Sequence, residues 1–419
     1  MNIFTALFLV ALTVSYTVQF WLIRRQDLHV RAHRDSVPDA FKESIALDIH
    51  QKAADYTLEK NRLSKISGIL ELVLLLLFTL GGGISLIAKT WSAVGISPWL
   101  AQVALVLSIF LISHVVELPL AIYHTFGVEE KFGFNRSTAK QFAIDQVLQL
   151  ALMLVLGGPL VIVILWVMRD LGSLWWLVAW LIVLGYTFFL TWAYPTLIAP
   201  LFNKFTLLDN AELTTRIESL LERCGFSSKG IFVMDGSRRS GHGNAYFTGF
   251  GSNKRIVFFD TLINHLEHDE VEAVLAHELG HFKRRHVIKM MLASAIMSLI
   301  GLAILGWISG QDWFYGGLGV DVPSDAAALI LLVLVSPVFT VFLRPIMAHF
   351  QRKHEFEADD FASMFAKPAA LISALIKLYR DNASTLTPDP LYTAFHYSHP
   401  PAAVRINNLA QKTVSSAST

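Results

Sequence analysis

Five consecutive residues carry the first chemical signal: His277-Glu278-Leu279-Gly280-His281 fits the pattern H-E-x-x-H. On a helix, positions four apart share a face, so the two imidazoles can meet one zinc ion. Glu278 directly follows the first histidine, where its carboxylate can take a proton from an attacking water. With fifteen histidines in the chain, chance produces such a pentapeptide at roughly the per-cent level. A catalytic zinc needs a third protein ligand and an open fourth position. The extended pattern of one zinc protease group would put glycine at position 284 and histidine at 287, but the chain has Arg284 and Val287. His286 is out of phase with that extension and is expected at a membrane interface. The better third ligand is Glu355, in His354-Glu355-Phe356-Glu357-Ala358-Asp359-Asp360. Glu355 and Asp359 share a helix face, so Glu355 can bind the metal while Asp359 accepts a hydrogen bond from a ligand imidazole. Glu357 points elsewhere on that helix. The single cysteine, Cys224, can form no internal disulfide, so any metal rests on histidine and carboxylate. One Zn2+ per chain is the expected cofactor.

The elements that position these groups are largely apolar. Hydrophobic residues make up 54% of the chain and charged residues 16%, with a mean hydropathy of +0.50, outside the balance of soluble domains. A spanning helix needs about 20 mostly apolar residues. Seven runs qualify: 2–23, 66–88, 99–124, 147–167, 175–194, 287–308 and 326–347. The first is long for a signal peptide, lacks a preceding basic residue and is followed by Arg24 and Arg25, so it reads as a retained helix. Basic residues crowd the segment from Arg24 to Lys65, whereas 309–325 has Asp312 and Asp321 but no Lys or Arg. That asymmetry puts the first, third and fifth loops and the C-terminus in the cytosol. The tail 415–419 holds no retrieval signal, in keeping with a bacterial plasma membrane. A formal charge of +1 leaves no basic footprint for nucleic acid. Glu71, His114 and Glu117 fall inside membrane runs, where such groups either pair to fix helix packing or line a watery cavity.

The chain divides into a five-span membrane domain (1–194), a cytosolic segment with the H-E-x-x-H helix (195–286), spans six and seven (287–347), and a cytosolic segment with the third ligand (348–419). Within the long loop, 210–223 has helical periodicity, 231–235, 255–260 and 245–250 are short β-rich runs, and 269–285 reads as a helix.

Further motifs extend the pattern over nearly the whole chain: Val128-Glu-Glu-Lys-Phe-Gly-Phe-Asn-Arg136, Tyr194-Pro-Thr-Leu-Ile-Ala-Pro-Leu-Phe-Asn-Lys204, Gly243-Asn-Ala-Tyr-Phe-Thr-Gly-Phe250, Glu355-Phe-Glu-Ala-Asp359 and Tyr397-Ser-His-Pro-Pro401. In that order they resemble the type I CAAX prenyl proteases, integral-membrane zinc endopeptidases. The resemblance implies an all-α multi-pass fold, seven transmembrane helices forming an α-barrel around a water-filled chamber. It also implies a cytosolic gluzincin-type element with a few short β-strands. By matching motif positions, Asn244 hydrogen-bonds substrate backbone, His399 stabilises the oxyanion and Arg405 supports it. The implied partners are peptide or protein substrates, lipidated ones included, and the bilayer, with no nucleic acid. Two other readings are a quality-control membrane metalloprotease of the HtpX type and a seven-helix transporter or receptor. The latter leaves His277, Glu278, His281 and Glu355 without a role.

Overall fold

The computed structural model describes residues 2–226, 230–248 and 255–417. Among them, six helical stretches are long and apolar enough to cross a bilayer: Ile3–Ala32, Pro98–Phe132, Ala139–Asp170, Gly172–Phe202, His286–Ile308 and Asp325–Phe365. A bent pair, Leu47–Phe78 with Gly83–Ala93, passes the same test as one unit. Hydropathy predicts an unbroken run over 66–88. Instead Gly81-Gly82-Gly83 interrupts the helix, with Gly82 at φ +74°, a conformation glycine adopts without a Cβ penalty, and the two halves meet at 55°.

Hydropathy also understates where helices end. The first continues past Arg24 and Arg25 to Ala32, and the last apolar run passes through a short 3₁₀ turn into Arg344–Phe365. The third-ligand motif therefore sits on the direct continuation of the final apolar helix. Glu71 and Glu117 are exposed on the protein and His114 is half-buried. They do not form a buried pair; Glu71 instead accepts from Ser67 at 3.0 Å.

The soluble part packs helices around a four-stranded sheet of order β1-β2-β4-β3: β1 Phe205–Leu207, β2 Ile231–Met234, β3 Ala245–Thr248 and β4 Arg255–Phe259. β1 runs antiparallel to β2, β2 parallel to β4, and β3 antiparallel to β4 with Ala245 opposite Phe258. β3 is an edge, so one row of its backbone groups is open to a ligand. The expected β-run to Phe250 ends in Gly249 and Phe250, which lie outside the described residues. Asn210 caps helix Ala211–Cys224 by accepting from Leu213 N at 2.9 Å. The H-E-x-x-H helix, His268–Lys283, starts with a capping box between Glu267 and Glu270. Its apolar face (Val271, Val274, Leu275, Leu279) joins Ile256, Phe258, Ile217 and Leu375 in one buried cluster. A separate apolar cluster, from Phe8 to Val338, holds the membrane helices together.

Candidate metal centre and active site

Two helices bring the candidate ligands together because a glycine lets them touch. A Cβ at Gly280 would lie 2.9 Å from the Ala358 Cα and 3.1 Å from its carbonyl oxygen. Helix His268–Lys283 thus rests on the backbone of helix Arg344–Phe365, and Glu355 faces His277 and His281.

The donor atoms converge. His281 Nε2 lies 3.2 Å from His277 Nε2 and 3.2 Å from Glu355 Oε1, and His277 Nε2 lies 3.5 Å from Glu355 Oε2. Bonds of about 2.0–2.1 Å to a tetrahedral ion require ligand atoms about 3.3–3.4 Å apart. The three groups meet that requirement. Glu355 Oε2 is buried and accepts no hydrogen bond; the Arg405 guanidinium and His277 Nε2 lie beside it at 3.3 and 3.5 Å, and a metal ion between the three groups would give it a direct partner.

Each imidazole is oriented from behind. His277 Nδ1 lies 2.9 Å from Asp359 Oδ1, and Asp359 is fully buried. Arg405 grips Asp359 with two bonds, 2.9 and 2.6 Å, and its third nitrogen lies 3.3 Å from Glu355 Oε2. With Nε2 facing the other donors, His281 keeps its proton on Nδ1 and donates to His286 Nδ1 at 3.0 Å. The His286 Nε2–H then donates to Glu357 Oε2 at 2.9 Å. His286 opens the apolar helix His286–Ile308, the position expected for it at a membrane interface; the structure also buries it and lines it up with Glu357 behind His281.

Burial and the Arg405 guanidinium push the His277 pKa down, while Asp359 and Glu355 push it up; the carboxylates prevail, at about 9. A metal must therefore displace a proton there. Burial pushes the Glu278 carboxyl above its ordinary range, towards the pKa suited to a general base near neutral pH. Glu278 lines a cavity of about 630 Å³ together with Asn244, His399 and Arg405.

His399 lies on the loop before helix Ala402–Ala417, exposed to that cavity, with Nε2 3.4 Å from Glu355 Oε1. Arg352, one turn before Glu355, holds that loop by donating to the carbonyls of Thr393, Ala394 and Tyr397 at 3.1, 3.3 and 2.9 Å. Sequence reading had no means of finding it, since the partners are backbone atoms. Asn244 is exposed to the cavity just ahead of edge strand β3, and its carbonyl accepts from Phe259 N at 3.0 Å. The Val128–Arg136 motif braces this segment. Glu129 accepts from Tyr56 and lies 3.2 Å from His242 Nε2. Gly241 N donates to the Phe134 carbonyl at 2.9 Å.

Comparison with known proteins shows the family. Residues 26–204 match the family model "CAAX prenyl protease N-terminal, five membrane helices", and 207–413 match "Peptidase family M48". The chain is 37% identical to CAAX prenyl protease 1 of Saccharomyces cerevisiae over 319 residues, covering 71% of this chain and 69% of that one. It is 30% identical to the human CAAX prenyl protease 1 homolog, with 95% and 94% covered. The crystal structure of S. mikatae Ste24p superposes with a TM-score of 0.89 at 30% identity, over 98% of this chain and 99% of that one. The chain thus belongs to peptidase family M48, beside the CAAX prenyl protease 1 proteins, and is a membrane metalloendopeptidase.

Proposed function

We propose that the chain holds one zinc ion on His277, His281 and Glu355 and hydrolyses peptide bonds near the C-termini of prenylated, CAAX-type proteins. The observation that carries the reading is the convergence of the three groups: His281 Nε2 lies 3.2 Å from His277 Nε2 and 3.2 Å from one Glu355 oxygen, and His277 Nε2 lies 3.5 Å from the other. A zinc ion there would acidify a water and polarise the scissile carbonyl. The chain's own residues do the rest. Glu278 takes the proton of the attacking water and passes it to the leaving amine. The His399 imidazole donates to the developing oxyanion, with Arg405 fixing Asp359 and Glu355 behind it. The Asn244 amide hydrogen-bonds a substrate lying as an added strand along β3.

The four-part division at 194, 286 and 347 follows from this assignment, with ligands supplied by the second and fourth parts. We count the bent pair as a span, giving seven helices that enclose a chamber. The exposed Glu71 and Glu117 support this, because lipid does not tolerate such groups whereas a water-filled interior does. The basic segment from Arg24 to Lys65 supports a cytosolic active site. The membrane we assign is a bacterial plasma membrane, on the sequence reading, although the relatives compared come from yeast and human.

The test is metal content with cleavage of matched prenylated and bare peptides. The parent should carry about one zinc per chain. Glu278→Gln should keep it and lose about 10²–10⁴-fold in rate. Near-parental cleavage by Glu278→Gln refutes the mechanism, and a reporter fused at Lys52 that reads the outer side refutes the topology.

A further inference from the structure

The cavity that begins at Glu278 and Asn244 extends to Lys60 and Asn61 on helix Leu47–Phe78. Its lining holds few charges: one carboxylate, Glu278, and two fixed cations, Arg405 and Lys60. Arg405 is already committed to Asp359 and Glu355. Lys60 is not. Among the described residues its ammonium has no ion-pair partner; it rests 4.0 Å from the centroid of the Tyr56 ring. Glu129 attracts it through space, but that carboxylate is taken by Tyr56 and His242.

The seat of this lysine is rigid. Tyr56 is buried, and its ring stacks 6.2 Å from that of His242. The adjoining Gly243 is clamped by Asn382, which accepts from its N–H at 2.9 Å and donates to its carbonyl at 3.2 Å. Lys60 is therefore one aromatic ring away from the segment that presents Asn244. An ammonium resting on a ring face keeps N–H donors turned away from the ring, and a half-buried cation without an anion is poorly compensated.

An anion supplied by the ligand would complete the site. An endopeptidase cutting three residues from a C-terminus releases a segment about 10 Å long with a carboxylate at its end. A cavity of about 630 Å³ lies within the roughly 300–1,000 Å³ usual for small-ligand pockets. We propose that Lys60 receives the C-terminal carboxylate of the segment that leaves, so that this cavity selects substrates cut close to a free C-terminus. The inference rests on the endopeptidase reading above.

The experiment uses a prenylated Cys-a-a-X peptide as the free acid, as its C-terminal amide, and as an amide ending in glutamate. Neutral detergent keeps anionic lipid headgroups out of the assay. In the parent, kcat/KM for acid over amide should be about 10–100-fold, mostly in KM, as a charge-assisted bond present in both ground and transition states predicts. The glutamate amide should behave as the plain amide, since its carboxylate is on a side chain. Lys60→Met keeps an apolar stem on the Tyr56 ring, and its acid-over-amide ratio should fall towards one; Lys60→Arg should keep it well above one. A parental ratio near one overturns the proposal, as does a Lys60→Met ratio equal to the parent's or acid-like cleavage of the glutamate amide. Equal losses on acid and amide in Lys60→Met would mark a merely structural lysine and also overturn it. Binding of the same peptides to Glu278→Gln, with and without Lys60→Met, reads the ratio without turnover. If the parent cleaves none of the peptides, the endopeptidase reading falls, and the binding ratio still decides the role of Lys60.

Discussion

Replacing His286 with phenylalanine isolates the hydrogen bonds behind His281 from the ligands themselves. The phenyl ring can keep the stacking with His354, where the rings lie 4.0 Å apart and 12° from parallel. It removes the acceptor 3.0 Å from His281 Nδ1 and the donor 2.9 Å from Glu357. An orphaned donor costs about 1–3 kcal/mol. The His281 side chain is 21% exposed, so water recovers part of that and the lower half of the range applies. A penalty of about 1–2 kcal/mol is about a 5–30-fold loss of metal affinity. Behind His277 the stakes are higher, because Asp359 is fully buried, charged and gripped by Arg405. Asp359→Asn should lose about 10–100-fold, and His281→Ala more than either. Glu357→Gln should stay near the parent, since its amide oxygen still accepts from His286. The assay is zinc retention against graded chelator on purified protein, with thermal melts of the metal-free forms alongside. Parental affinity in His286→Phe refutes the orienting role. A loss equal to that of His281→Ala refutes the assignment of His281 as the ligand.

Three further outcomes follow from the same geometry. Gly280→Ala pushes a methyl into the Ala358 backbone, which no rotamer change relieves, and should cost about 1–3 kcal/mol together with metal affinity. Gly301→Ala, with no atom within 4 Å of the added carbon, is the control in melts and chelator titrations. Although burial pushes the Glu270 carboxyl up, Lys377, Ser373 and the Glu267 N–H outweigh it and hold its pKa below the ordinary range. Its stabilisation is then present above the unfolded pKa of about 4.3 and is lost as pH falls through the lower folded value. Acid melts should show the parent losing stability more steeply than Glu270→Gln below about pH 4.3, and parallel curves there would refute it. His399→Ala should keep its metal and lose about 10²–10³-fold in kcat; loss of metal on elemental analysis would make it a ligand instead.

The residues that were legible share one helix with their partners. His277 and His281, or Glu355 and Asp359, sit four apart on an unbroken helix, so their relative direction follows from 100° per residue. The part His286 plays behind His281 was not legible because that arithmetic stops at Arg285. The chain takes a left-handed turn there, φ +57° at a non-glycine residue, and a new helix begins at His286. The turn returns His286 towards His281, where continuous phasing would carry it away. Glu357 is about 200° around its helix from Glu355 and so cannot face the metal position, but His286, the first residue of the next helix, lies on that other side. The break at Gly81–Gly83 was invisible to hydropathy, since glycine leaves an apolar average almost unchanged. β1 has three residues, too few for an alternation signal. Arg352 and Asn382 act on backbone atoms of distant loops, and no sequence spacing encodes those contacts.

The two walls of the cavity are anchored to different parts of the membrane bundle. One wall is the metal side. Glu355, Asp359 and Arg352 lie on the helix that continues the final apolar run, and Arg352 carries the His399 loop with it. Gly280 presses the H-E-x-x-H helix onto the same helix. The other wall is the Asn244 side, fixed through His242 to Glu129 at the end of Pro98–Phe132 and through Glu129 to Tyr56 on Leu47–Phe78. Each wall is internally tied, because its members are joined by buried or part-buried hydrogen bonds or by backbone contact. The walls also meet directly, through the Asn382 clamp on Gly243 and the buried cluster shared by β4 and the H-E-x-x-H helix, so the distance between them is set by that contact together with how the spans pack. An extended peptide must reach the metal from one wall while hydrogen-bonding the other, and a displacement of about 1 Å can cost about 100-fold in rate. Substitutions between the membrane helices, far from any catalytic group, should therefore act on turnover through cleft width and leave metal affinity untouched.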